Sequence, residues 1–302
     1  MAYLHENREL FLDAINQTSL SASLDPHVVE KDYYVTMILK LVSQKFSYIV
    51  FKGGTSIQKA YGAIKRFSED IDITIDEHIS RKEKKKIKYG IADVCERLGL
   101  TILNLDDIRS SRDYNKYEIA YTSVLNGTAG IIMPTVILET SYTEVSFPVE
   151  TRQIHNYIEK ELSLQNQKII KELDLSVFEM KVQSLDKSLV DKVFALGDYY
   201  LSGKTKRYSR HIYDIYKLWP LVEKNDDFRK LIQDVRSERA KKEICKSAQT
   251  GVYMNELLNR IVKDEIFRED YEILTSELLE ESISYEEAIT AIKEIIKSNY
   301  FI

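Results

Sequence analysis

A hydrophobic run, Tyr48-Ile49-Val50-Phe51, leads directly into Lys52-Gly53-Gly54-Thr55-Ser56, and Arg66-Phe67-Ser68-Glu69-Asp70-Ile71-Asp72-Ile73-Thr74-Ile75 follows shortly after. The pattern predicts a strand, a glycine pair opening a helix, and a second strand with carboxylates at alternate positions. Strand side chains alternate between faces, so Asp70 and Asp72 share one face while Ile71, Ile73 and Ile75 point into a core.

This arrangement suits one kind of chemistry. A Gly-Gly turn lets backbone N–H groups approach an anion, and the helix N-terminus that follows favours negative charge. Two carboxylates on one strand face, with no basic residue between them, are oxygen ligands suited to Mg²⁺, which takes one or two carboxylates together with substrate phosphates. Together they describe a metal-dependent nucleotidyl-transfer site. The lysine precedes the glycines, so neither G-x-x-x-x-G-K-[ST] nor G-x-G-x-x-G is present, and ordinary ATPase and dehydrogenase readings lose ground.

The chain has 302 residues, 44% hydrophobic and 30% charged, enough for a sizeable core and two domains. Its net charge of -5 and pI near 5.7 exclude a general polycation, so contact with nucleic acid has to come from local basic patches. Cys95 and Cys245 belong to no C-x-x-C pair, and His5, His27, His78 and His155 show no ligand spacing. Neither a disulfide framework nor a zinc site is expected, which fits a reducing cytoplasm. No apolar run is long enough to span a bilayer, and the first turns, with His5, Glu6, Arg8 and Glu9, lack the apolar segment of a signal peptide.

Along the chain, apolar spacing predicts a helix from Tyr3 to Thr18, and Asp25-Pro26 starts another. Glu30-Lys31-Asp32, near the beginning of that helix, reads equally as a solvated charged turn or as a device fixing the active-site strand. The glycine helix is expected from Thr55 to about Ile64. Ser80 with Glu83 forms a capping box for a helix towards Leu98, ended by Gly99; its lysines, from Arg81 to Lys88, read first as a solvated face and second as RNA contacts.

Tyr117 to Tyr121, Thr135 to Tyr142 and Phe178 to Gln183 read as strands, with Asn126-Gly127 as a turn. Glu139 lies in an otherwise apolar strand, where a lone acid is costly unless it faces solvent or a cation. It is the candidate third metal carboxylate, with an edge-facing glutamate as the alternative. Lys192 sits in a helix beginning at Leu185, and by spacing alone is a surface lysine. Lys204, Lys206, Arg207 and Arg210 form a basic loop before a helix carrying His211 and Asp214. From Leu221 the tail is helical and acidic, with a capping box at Ser284 and Glu287.

The motif order resembles the AbiEii/AbiGii toxin family, nucleotidyltransferases with a polymerase-beta-like fold found in abortive-infection (antiviral defence) and type IV toxin–antitoxin systems. The resemblance runs from about Val29 to Leu218, carried by Glu30-Lys31-Asp32, Lys52 to Ser56, Arg66 to Asp72, Asp191-Lys192 with Ala195-Leu196, and Arg210 to Asp214. It implies that Gly53, Gly54 and Thr55, flanked by Lys52 and Ser56, cradle nucleotide phosphates and that Asp70 and Asp72 bind Mg²⁺. It further implies that Ser68 contacts a phosphate, that Lys192 neutralises triphosphate charge, and that Asp214 belongs to the helical motif closing the far side of the site. Some relatives have Asp where this chain has His211, which leaves that position open.

The expected fold is α+β: a polymerase-beta-like nucleotidyltransferase domain over residues 1–175, with a mixed sheet flanked by helices, then a mainly helical C-terminal domain over 176–302 that contributes to the active site. The expected function is that of a Mg²⁺-dependent toxin transferring NMP from an NTP to RNA, foremost a tRNA 3′ end, to block translation. The alternatives are transfer to a hydroxyl of a protein or small molecule, and a non-catalytic NTP-binding partner protein. A separately encoded antitoxin is expected, without a stable complex, as is a cytoplasmic location.

Overall fold

The computed structural model describes residues 3–68, 70–75, 78–126, 132–145, 147–163 and 167–302. Glu69 of the carboxylate motif and Gly127 of the expected turn lie outside the described residues. The chain divides into two units, Met1–Tyr61 with Ser68–Gln183, and Gly62–Phe67 with Ser184–Ile302.

The first unit is built on a mixed seven-stranded sheet flanked by helices, ordered β3-β4-β5-β2-β1-β7-β6. In chain order its main elements are α1 (Arg8–Ala22), α2 (Pro26–Lys45), β1 (Ile49–Lys52), α3 (Gly53–Ser56), β2 (Ile71–Ile75), α4 (Arg81–Arg97), β3 (Thr101–Ile102), β4 (Tyr114–Ala120), β5 (Thr135–Val145), β6 (Val149–Ile154), α5 (Tyr157–Ser163), α6 (Gln167–Glu172) and β7 (Phe178–Gln183). A π-helical turn, Ile57–Tyr61, continues α3. β1 runs parallel to β7 and β2 parallel to β5, while the remaining pairs are antiparallel.

Alternation decides which face is covered. Phe51, Ile71, Ile73, Ile75, Tyr117, Ile119, Val136, Leu138 and Val182 are all buried in one core with α2 and α4 residues such as Tyr33, Ile38, Ile87 and Ile91. Asp25 caps α2 by accepting from the His27 amide, with Pro26 in the first turn, and Ser80 caps α4 through the Glu83 amide. α2 is buried almost all round. Glu30 and Lys31 are only 1% and 3% exposed, so the triplet that could have been a solvated turn is interior.

The second unit is helical: α7 (Leu185–Leu201), α8 (Arg210–Leu218), α9 (Asp226–Ala240), α10 (Met254–Asp264) and a last helix, Thr290–Ser298, joined by shorter turns. α7 and α10 approach closely at Gly197, where an added Cβ would lie 2.9 Å from a Leu257 methyl. The short segment Gly62–Phe67 belongs here because Phe67 N–H donates to Leu278 and Glu280 N–H to Lys65. Among the described residues no helix is long and apolar enough to cross a membrane.

Candidate active site

Register places four charged residues in one rank across the first unit's sheet. Lys52 of β1 stands opposite Asp72 of β2, Asp72 opposite Glu139 of β5, and Glu139 opposite Lys116 of β4. Residues paired across neighbouring strands project from the same face, here the one opposite the isoleucine core. Asp70 immediately precedes β2, and Asp70, Asp72 and Glu139 are all partly exposed.

The glycine turn is fitted to this rank. Gly53 adopts a left-handed φ of 82°. A Cβ built on it would lie 2.0 Å from Oδ2 of Asp72 and 2.9 Å from its Cγ, so the Asp72 carboxylate rests on the glycine backbone itself. Only glycine meets both conditions.

The hydroxyls of the turn are partnered locally. Ser56 Oγ donates to the Gly53 carbonyl at 2.9 Å, and Thr55 Oγ1 and Ser68 Oγ are 2.9 Å apart. Thr55 and Ser56 are fully buried. They hold the turn's shape and tie it to the strand that brings in Asp70.

A second brace comes from α2. Lys59, on the π-helical turn, donates to Asp32 at 2.5 Å and to Thr36 Oγ1 at 2.7 Å, and the other Asp32 oxygen accepts the Tyr157 amide at 3.0 Å. Burial pushes the Lys59 pKa down, with Asp32 opposing it. Glu30 accepts from Ser123 Oγ and the Val124 amide, each at 2.7 Å, and Lys31 donates to the Met133 carbonyl. At the other edge, the pKa of the exposed Tyr114 is raised by desolvation, then by the nearby Glu139 carboxylate, with Asp72 and Asp70 adding their charge.

Lys192 and Asp214 lie in the second unit, together with Arg66. Arg66 grips Asp214 with two bonds, Nε to Oδ1 at 2.6 Å and an Nη to Oδ2 at 2.8 Å, and Lys192 Nζ reaches Oδ2 at 2.5 Å. All three are buried. Burial alone would raise the Asp214 pKa, but Arg66 and then Lys192 outweigh it and hold the carboxyl far below its usual range. The Lys192 pKa is lowered by burial, with Asp214 opposing. Burial, then the Lys192 charge, drives His211 well below its ordinary value, so its ring is neutral at pH 7.

Residues 39–293 match the family described as nucleotidyl transferase AbiEii toxin, type IV TA system. The chain belongs to the AbiEii family. It is thus a nucleotidyltransferase toxin of a type IV toxin–antitoxin system, and the family resemblance read from its motifs holds. Among solved structures it is similar to MenT4, a nucleotidyltransferase toxin of Mycobacterium tuberculosis, with a TM-score of 0.51 and 14% identity, covering 97% of this chain and 89% of the other. At that identity the likeness speaks for the fold. No curated protein matches. Membership implies an NTP substrate, a cognate antitoxin and, as is usual in such enzymes, a divalent metal.

For an AbiEii protein the test of metal fit lies in the donors. Asp70 and Asp72 offer hard oxygens beside a glycine turn with no room for a side chain, which suits Mg²⁺ sharing carboxylates with phosphates. Among the described residues no three His, Cys, Asp or Glu side chains form a group able to hold an ion by themselves. Asp70 and Asp72 suit a metal that arrives with phosphate. Of the two readings of Glu30-Lys31-Asp32, the structure favours the bracing one. Asp32 was legible in principle, since a helix apolar all round is buried and its charges need partners. Arg66 opened a quoted motif, but nothing in the sequence tied it to Asp214.

Proposed function

We propose that this AbiEii protein transfers NMP from an NTP to RNA, foremost a tRNA 3′ end, with Mg²⁺, and that it acts in the cytoplasm to block translation. The observation that carries the reading is the Asp72 carboxylate seated on Gly53 and ranked beside Glu139. A phosphate cradle and metal-binding oxygens meet there. The first unit, which takes in β7, is read as the nucleotidyltransferase domain, and the second as the helical domain that supplies Lys192 and Asp214.

Within this reading the Gly53-Gly54-Thr55 turn orients the triphosphate through backbone N–H groups, with Lys52 and Ser68 flanking it. Asp70 and Asp72 would hold the metal, and Glu139 adds negative charge beside Asp72. Bound Mg²⁺ supplies charge stabilisation to the in-line displacement at the α-phosphate. One of the carboxylates accepts the proton of the attacking hydroxyl. Lys192 provides phosphate-neutralising charge, and Asp214 sets its position. Asp214 is too strongly held by two cations to serve as a base.

The test is incubation with each α-labelled NTP, Mg²⁺ and total cellular RNA and protein, beside Asp70→Ala. Label in tRNA that depends on Asp70 supports the proposal; label in protein or a small molecule moves the acceptor; none in any fraction leaves a binding protein.

A further inference from the structure

The two basic runs of the sequence differ in what their charges do. On α4, Lys84 pairs with Asp113, Lys86 with Glu83, Lys88 donates to the Ile108 carbonyl and Lys85 lies over the Tyr89 ring. Those cations are largely spoken for. Between Asp198 and Asp214, by contrast, the chain has no carboxylate, and Lys204, Lys206, Arg207 and Arg210 fall within this stretch. Lys204, Lys206 and Arg207 are exposed, and among the described residues no carboxylate pairs with any of the four.

The loop that carries them is held rigidly from beneath. Arg207 has a left-handed φ of 69°, a strained conformation for a bulky residue. It is kept there by Asp270, whose carboxylate accepts the Arg207 amide at 2.7 Å, the Ser209 amide at 3.2 Å and Ser209 Oγ at 2.6 Å. Ser209 Oγ also meets Thr275 Oγ1 at 2.7 Å, and both residues are buried. At the loop's other side Tyr208 stacks on Tyr199 with ring centroids 3.8 Å apart. A buried acid is therefore spent on fixing the backbone of a loop whose Lys204, Lys206 and Arg207 side chains are exposed and, among the described residues, meet no carboxylate.

We propose that the Lys204–Arg210 loop is a preset cradle for the phosphodiester backbone of RNA, with Asp270 as its latch. Three exposed cations and the half-buried Arg210, beside stacked aromatic rings, match the make-up of surfaces that track a nucleic-acid strand. A net charge of -5 over the chain makes this local positive run the more distinctive. The cradle rests on the reading that RNA is the acceptor, and it assigns the contact to a surface separate from α4.

The test is fluorescence anisotropy of labelled bulk tRNA at several salt concentrations, with the full chain and the variants Lys204→Gln/Lys206→Gln, Arg207→Gly and Asp270→Asn. The double variant alters exposed side chains only, and it should bind about tenfold more weakly at low salt, with a salt slope flatter by roughly 1.4 for two lost phosphate contacts. Arg207→Gly keeps a residue suited to the left-handed φ while removing a cation, and should weaken binding about threefold. Asp270→Asn removes a negative charge, so a purely electrostatic patch would bind more tightly; a latched cradle binds less tightly. Wild-type affinity and slope in the double variant, no binding of tRNA by the native chain, or displacement of tRNA by an equimolar NTP would each overturn the proposal. The two readings fail separately. Label transfer to RNA with variants that bind normally removes the cradle alone, whereas loop-dependent tRNA binding with label only in protein removes the acceptor assignment alone.

Discussion

Oδ2 of Asp72 lies where the Cβ of any residue other than glycine at position 53 would sit, 2.0 Å from that position. The turn and the carboxylate strand therefore constrain each other. Gly53→Ala should lose nearly all transfer, because either the carboxylate moves or the turn does. Gly62→Ala is the control: its φ is also left-handed, at 61°, but an added Cβ meets nothing within 4 Å. Both variants should lose roughly 1–2 kcal/mol to backbone strain, and only Gly53→Ala should lose more stability, and activity, beyond that. Equal unfolding temperatures and equal transfer rates in the two would show that the contact is unimportant.

The Asp32–Lys59 pair braces the helical turn behind the glycines. Both side chains are at most 10% exposed, so solvent screening is slight. Asp32→Ala leaves the Lys59 ammonium buried without a counter-charge, a change worth about 3–5 kcal/mol. Replacing both, as Asp32→Leu with Lys59→Met, should recover much of that loss, since an apolar pair carries no desolvation cost. The double-mutant cycle, read by denaturant unfolding, should show a coupling well above the error of additivity. Strict additivity would mean the pair does not act as one.

How far the sequence could be read follows from the range of each interaction. Gly53, Asp70, Asp72 and the isoleucines between them declare themselves through strand period and turn chemistry, both local. Phe178 to Gln183 was legible as a strand for the same reason. β6, Val149–Ile154, was not, because an edge strand carrying Glu150, Arg152 and Gln153 has no apolar alternation to betray it. Whether Glu30 and Asp32 were surface charge or a brace could not be decided locally, because their partners, Ser123, Val124, Lys59 and Tyr157, are distant in sequence. Arg66 and Asp214 are likewise separated by most of the first unit. Glu139 stood out as a costly acid in an apolar strand, but its neighbour Asp72 emerges only from the register of β2 and β5.

Tyr114 is 52% exposed, and its phenol feels the Glu139 carboxylate along with Asp72 and Asp70. Tyr114→Phe keeps the ring and removes the hydroxyl beside Glu139, so thermal unfolding should hardly change while kcat falls by a few-fold, roughly 1 kcal/mol for a polar partner of a charged group. If the hydroxyl acts through Glu139, the Tyr114→Phe substitution should cost little more in a Glu139→Gln background. A full second loss in that background would give Tyr114 a role independent of Glu139.

Asp214 carries the charge balance of the second unit's core, facing Arg66 and Lys192 at once. Its carboxyl is held below the value it would have in the unfolded chain, about 3.9 for an aspartate. A depressed folded pKa stabilises above the unfolded value and loses that stabilisation as pH falls towards the folded one. Asp214→Asn keeps the shape and removes the charge, leaving two buried cations unbalanced, so it should cost about 3–5 kcal/mol at pH 7. Thermal unfolding of both proteins across pH 3 to 8 should then show a gap that is flat above about pH 5 and narrows only below about pH 4, once the unfolded wild type takes up the proton that the folded state refuses. A gap that instead changes between pH 5 and 7 would assign the dependence to another titrating group. His211 cannot supply it by charging in the folded state, since burial beside Lys192 keeps its ring neutral there.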